Sequence, residues 1–189
     1  MINTYATAEL GVLAVNTGEG LAMRLLPDPL IQVVNPDSGA SVGPGETGEV
    51  VVTNSNALYP LIRFGTGDLA MNIDPRPGES AQAERAIILV GRRGEAVKVR
   101  GMFLHPNQLR FAAAQVPGVA TVQAVVTRPD GVRDRLALRV AAAAGADEAS
   151  LADGLRAAVQ GVCRVRVDEV TFGDVAAEGP AVADQRGWE

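Results

Sequence analysis

Between Leu30 and Thr53 the sequence reads IQVV, then NPDSGASVGPGETG, then EVVVT. Two short β-branched runs thus flank a cluster of Asn-Pro, Ser-Gly and further glycines, which forces tight reversals that a helix cannot accommodate. This punctuation predicts antiparallel β structure for the first half of the chain. A polar, proline-rich stretch from Asp74 to Glu84 follows and reads as an exposed loop before the apolar run Ala86–Val90.

After Val90 the pattern changes. EAVKVRG and the segment around Phe103 flank Gly101, which suits a sharp turn. Pro106 fits the first turn of a helix on which Leu109, Ala112, Ala113 and Val116 share a face, and Pro117-Gly118 stops it. VATVQAVVT and RLALRV alternate like strands around Pro129-Asp130-Gly131 and predict a hairpin. Asp147 can cap a second helix with an apolar stripe of Leu151, Leu155, Ala158, Val159 and Val162, and RVRVDEV reads as a last strand. The whole is expected to be α+β: a β-rich subdomain over 1–91, then a small sandwich over 92–189 with two helices on an antiparallel sheet.

Composition narrows the function classes. Seventeen Lys and Arg against 22 Asp and Glu give a net charge of −5, which offers no basic footprint for nucleic acid or anionic lipid. Cys163 is the only cysteine, so neither an internal disulfide nor a cysteine-rich zinc site can form, and a reducing, cytoplasmic setting is expected. No apolar run approaches the roughly 18 residues of a membrane span. His105, the single histidine, has no neighbouring ligands in sequence and reads as a helix-start residue.

Three segments carry chemistry: YATAELG, YPLIRFGTGDLA and VGRRGEAVKVRGMFLHPNQL. In this order and spacing they resemble the adenylate-forming (AMP-dependent) ligases, in particular the phenylacetate–CoA ligase-like branch. Members convert a carboxylic acid and ATP to an acyl adenylate and then to a CoA thioester. The resemblance covers the carboxy-terminal part of such a ligase, and implies ATP/AMP, Mg²⁺ and coenzyme A as cofactors.

By resemblance, Tyr5 packs on adenine and Glu9 helps hold Mg²⁺, while Ala6 departs from the glycine usual between them. Thr66 and Asp68 of Thr-Gly-Asp are implied to bind the nucleotide, Asp68 through the ribose hydroxyls, for which a two-oxygen acceptor is chemically apt. Arg92 matches the arginine that contacts the nucleotide. Arg93 and Gly94 fall at the family's hinge, where many relatives carry Asp at the position of Gly94. Lys98, Arg100 and Gly101 are implied to lie along the CoA path, although a solvated strand face is the readier account of the two cations.

Two family features are missing from the sequence. No Ser/Thr/Gly-rich phosphate loop precedes YATAELG, and the closing segment AAEGPAVADQRGWE holds no lysine; Lys98 is the only one in the chain, and Arg186 the only cation near the end. Since a transition-state charge partner is worth orders of magnitude in rate, unaided adenylation is not expected. The expectations left open are a ligase portion completed by a separate amino-terminal chain, a non-catalytic binding or interaction module derived from such a ligase, and a reading frame that extends upstream.

Overall fold

The computed structural model describes residues 2–16, 18, 20–175 and 179–187. It divides into two compact units, the first ending at Gly94 and the second beginning at Glu95, three residues past the boundary expected after Gly91.

Among the described residues the first unit is built on a seven-stranded sheet. Its strands are β1 (Asn3–Thr7), β2 (Gly11–Asn16), β3 (Met23–Leu25), β4 (Leu30–Val34), β5 (Thr47–Asn54), β6 (Leu61–Ile73) and β7 (Ala86–Arg92), in the spatial order β1-β2-β3-β7-β6-β5-β4. Every pairing is antiparallel. The turn cluster between β4 and β5 does what its glycines and Asn-Pro suggest, with Val34 paired to Glu49 across it. Leu13, Ile31, Val50, Val52 and Ile87 are fully buried in one apolar cluster. At about 1.5–3 kcal/mol for each large apolar side chain removed from water, this cluster dominates the stability of the unit.

The pairing of β5 with β6 contains the feature that builds the site. Glu49 faces Leu69 and Val51 faces Gly65, so Thr66, Gly67 and Asp68 bulge out of the ladder. Gly67 takes φ +74°, a left-handed conformation that glycine adopts without steric cost.

The second unit contains β8 (Val97–Val99), β9 (Met102–Leu104), α1 (Pro106–Ala114), β10 (Val119–Thr127), β11 (Arg135–Ala142), α2 (Glu148–Cys163), β12 (Glu169–Phe172) and β13 (Val182–Asp184). Strands β8 and β9 form a hairpin whose two-residue turn, Arg100-Gly101, has φ +50° and +88°, as a type I′ turn requires. The other sheet has the order β12-β11-β10-β13. Its central hairpin is antiparallel as the alternation predicts, but both edge strands join in parallel.

Helix α1 starts as expected at Pro106, with His105 as its cap: Nδ1 accepts the Asn107 N–H at 3.1 Å. Helix α2 is capped by Asp147, whose carboxylate accepts the Ala149 N–H at 3.2 Å. Both helices share one core with the hairpin, joining Leu109, Ala112, Leu155 and Val159 to Val126 and Leu138. The strand expected at RVRVDEV is shorter and later. Arg164 ends α2 at φ +58°, residues 164–168 run without ladder partners while burying Val165 and Val167, and pairing begins only at Glu169. No helix among the described residues is long and apolar enough to cross a membrane.

Candidate functional site

The bulge in β6 presents Thr66 and Asp68 at one place, and two other strands reach it. Tyr5 of β1 donates its hydroxyl to Asp68 Oδ2 at 2.8 Å and lies 3.2 Å from Thr66 Oγ1. From β7, where Arg92 stands in register opposite Asp68, the guanidinium donates from Nη1 to Asp68 Oδ1 at 2.6 Å. Thr66 Oγ1 donates to the Val50 carbonyl at 3.0 Å and accepts the Asp68 N–H at 3.2 Å, which fixes the bulge. Four residues from three strands therefore converge, with Asp68 at the centre.

Their exposures differ. The Asp68 side chain is 17% exposed and Arg92 is 64% exposed, so the arginine reaches over the surface to a carboxylate that is nearly covered. Tyr5 is 6% exposed and its ring belongs to the core of the first unit, so its hydroxyl, not an open ring face, is what it offers the cluster. Burial pushes the Tyr5 phenol far above its ordinary range, despite the Thr66 contact that opposes the shift, and it stays a donor at any physiological pH.

Sequence reasoning overlooked Glu49. It lies in β5 beneath the bulge, only 8% exposed. Oε1 accepts the Gly67 N–H at 3.2 Å, and Oε2 pairs with Arg93 Nη1 at 3.2 Å. The available signal was a charged residue inside the run TGEVVVTN, whose first six residues are all buried. Gly94, beside Arg93, is exposed, and the position a Cβ would take there meets nothing within 4 Å.

Glu9 lies exposed in the turn between β1 and β2. Among the described residues no three His, Cys, Asp or Glu side chains gather to hold a metal. A cation carried on phosphates needs as few as one protein carboxylate, so Glu9 fits that limited role in chemistry.

In the second unit, Lys98 and Gly101 belong to the β8–β9 hairpin. The Lys98 ammonium sits 5.8 Å from the Phe103 ring centroid, within cation–π range. Arg100 is committed to the fold: its N–H donates to Asp134 at 3.0 Å, and its guanidinium reaches Asp168 at 3.2 Å and the Arg166 carbonyl. Gly101 has open space where a side chain would be.

Arg186 is more deeply committed, with a side chain only 6% exposed. It binds Asp184 through Nε at 2.8 Å and Nη2 at 2.7 Å, Asp134 through Nη1 at 3.1 Å, and the Lys98 carbonyl at 2.9 Å. Bonds to Asp184 raise its pKa further, so it is a permanent cation neutralised within its own unit.

No family model matches the chain. Among curated proteins it is 29% identical to a phenylacetate–coenzyme A ligase of Thermus thermophilus over 112 residues, 59% of this chain and 25% of that protein. It is 31% identical to the Escherichia coli phenylacetate–coenzyme A ligase over 103 residues, 49% of this chain and 23% of that one. A third relative, chalcone synthase cfoA of Aspergillus candidus, is 33% identical over 139 residues, 65% of this chain and 5% of that protein. The matches thus span about a quarter of the length of the phenylacetate–coenzyme A ligases.

Among solved structures, an open conformation of 2-hydroxyisobutyryl-CoA ligase with 2-HIB-AMP and CoA aligns with 97% of this chain and 43% of its own, at TM-score 0.67 and 23% identity. MatB from Rhodopseudomonas palustris aligns with 94% of this chain and 38% of its own, at TM-score 0.58 and 20% identity. At these identities the structures establish a shared fold. Sequence relatives and fold together match this chain to the carboxy-terminal part of the adenylate-forming ligase superfamily.

Proposed function

We propose that the chain supplies the ribose-binding edge and the small mobile domain of an ATP-dependent acid–CoA ligase, and that it binds adenine nucleotide without adenylating an acid unaided. The convergence of Tyr5, Thr66 and Arg92 on Asp68 is the observation that carries this reading. Two opposed donors fix the Asp68 rotamer, and a carboxylate held this way is a ready acceptor for a vicinal diol. Arg92, largely exposed, is available to a phosphate or to the nucleotide rim. Glu9 is assigned a Mg²⁺ carried by the phosphates, and Lys98, Arg100 and Gly101 the CoA path, with Arg100 acting from a turn already fixed by Asp134 and Asp168.

A second reading, a binding or interaction module without catalysis, is favoured by one observation. Arg186, the only cation near the closing segment, has its guanidinium locked between Asp134 and Asp184 and has no freedom to neutralise a reacting carboxylate. Both readings agree that the chain alone releases no pyrophosphate from ATP and a panel of aryl and alkyl acids. They part on nucleotide binding.

The test is calorimetric titration of AMP into the purified chain, its Asp68→Ala variant and the isosteric Asp68→Asn variant. A hydrogen bond to a charged group is worth about 1.5–3 kcal/mol, so Asp68→Ala is expected to weaken AMP at least about tenfold. Equal affinities in all three proteins, or no AMP binding by any, would reduce Asp68 to a turn residue and leave the interaction module.

A further inference from the structure

The buried carboxylate of Glu49 touches two things that the proposed function needs and that lie far apart in sequence. Oε1 accepts the Gly67 N–H, inside the bulge that carries Thr66 and Asp68. Oε2 pairs with Arg93, the penultimate residue of the first unit. The fold leaves little room for anything else at this place: a Cβ on Gly65 would stand 2.8 Å from Glu49 Oε1, inside the closest approach that real Cβ atoms show.

Consecutive arginines thus reach two carboxylates on neighbouring strands, Arg92 to Asp68 and Arg93 to Glu49. Gly94, the residue after Arg93, is exposed, and the position a Cβ would take there meets nothing within 4 Å.

We propose that Glu49 is a positioning residue that couples the nucleotide-binding bulge to Arg93 at the end of the first unit. Its functional meaning rests on the nucleotide reading above. The physical basis is that one carboxylate has one position: moving Arg93 away frees the group that holds the Gly67 N–H, and ordering the bulge holds the group that Arg93 needs. Such a link is reciprocal.

Two readouts on the intact chain test the link without any ligand. The first is amide hydrogen exchange at Gly67 in the wild type and in Arg93→Ala, whose lost side chain is half exposed and does not contact Gly67 in any hydrogen bond. Coupling is expected to speed Gly67 exchange at least about fivefold, the lower end of ordinary coupling energies. The second is limited trypsin cleavage after Arg93 in Glu49→Gln, which keeps an oxygen for the Gly67 N–H but drops the charge that holds Arg93. Cleavage is expected to accelerate at least about fivefold, because proteolysis follows the population of the open form. Unchanged Gly67 exchange in Arg93→Ala overturns the proposal even if the Glu49 variant fails to fold.

A third arm separates this inference from the reading it rests on. Saturating AMP is expected to slow trypsin cleavage after Arg93 in the wild type. No AMP effect with the Gly67–Arg93 coupling intact sinks the nucleotide reading and leaves the clamp standing. An AMP effect without that coupling sinks the clamp alone.

Discussion

Asp134 is the electrostatic centre of the second unit, and its removal has a cost that can be worked from the contacts. Its side chain is 10% exposed and accepts the Arg100 N–H at 3.0 Å, Arg128 Nε and Nη2 at 3.0 and 2.8 Å, and Arg186 Nη1 at 3.1 Å. In Asp134→Ala, Arg186 loses one charged hydrogen bond in a buried setting, about 1.5–3 kcal/mol, but keeps Asp184 and the Lys98 carbonyl. Arg128 is one-third exposed and can turn to water, so its pair adds only about 0.2–1 kcal/mol. The expected loss is about 2–4 kcal/mol, and at a urea slope of about 1–3 kcal/mol/M the midpoint falls by at least about 0.7 M. Cys163 supplies an assay specific to this unit, since it is 2% exposed and burial pushes its thiol up to about 12, so alkylation waits for unfolding. Burial opposes the charge on Asp134, but the Arg100 N–H and the two guanidiniums outweigh it and hold the pKa down to about 2. A depressed carboxylate stabilises above its unfolded value near 3.8 and loses that contribution as pH falls towards 2, so the difference between wild type and variant should close over that window. A midpoint shift below about 0.3 M at pH 7 would refute the claim that Asp134 organises this unit.

Two further outcomes are expected. Burial lowers the His105 pKa below its ordinary 6.5, although Glu95 pulls the other way, so the unfolded chain binds the proton more readily and the second unit should lose stability as pH falls below about 6.5. His105→Asn, which keeps a helix cap, should flatten that slope in urea titrations read through Cys163; an unchanged slope would contradict it. In the first unit, a Cβ on Gly48 would lie 2.4 Å from the Val34 carbonyl oxygen, a backbone atom that cannot swing aside. Gly48→Ala should therefore cost at least about 2 kcal/mol by thermal denaturation followed by circular dichroism, and a melting temperature within a degree or two of wild type would show that β4 shifts freely.

Local chemistry made much of the fold legible. The β4–β5 reversal, the β10–β11 hairpin and both helices are each marked by residues that act within a few positions: Asn-Pro and glycine, Pro129-Asp130-Gly131, Pro106 and Asp147. What escaped depends on distant partners. RVRVDEV alternates like a strand because Val165 and Val167 do face the core, but ladder pairing is a property of β11 and starts only at Glu169. The parallel joining of β12 and β13 leaves no local trace, because a parallel edge is set by where the chain returns. The same division holds at the site. Motif marks Asp68 and Arg92 as candidates, whereas the contact of Glu49 with Gly67 follows from a bulge in the facing strand that nothing in EVVVT announces.

The cluster at Asp68 can also be weighed against the plainer idea that Thr-Gly-Asp is only a turn. A turn is satisfied locally, and this one is: Thr66 Oγ1 already accepts the Asp68 N–H. The Asp68 carboxylate is then held a second time, by Tyr5 and Arg92, which lie 63 and 24 residues away. Stability gives a weak reason for that, since the Arg92 side chain is 64% exposed and exposed ion pairs contribute about 0–1 kcal/mol. Nor do the two donors exhaust the acceptor. A carboxylate offers about four lone-pair sites, and Tyr5 takes one on Oδ2 while Arg92 takes one on Oδ1, leaving one on each oxygen. On the proposed reading, a carboxylate locked in one rotamer meets a vicinal diol without losing side-chain freedom on binding, and that saving, more than any gain in folding, is what the distant Tyr5 and Arg92 contribute.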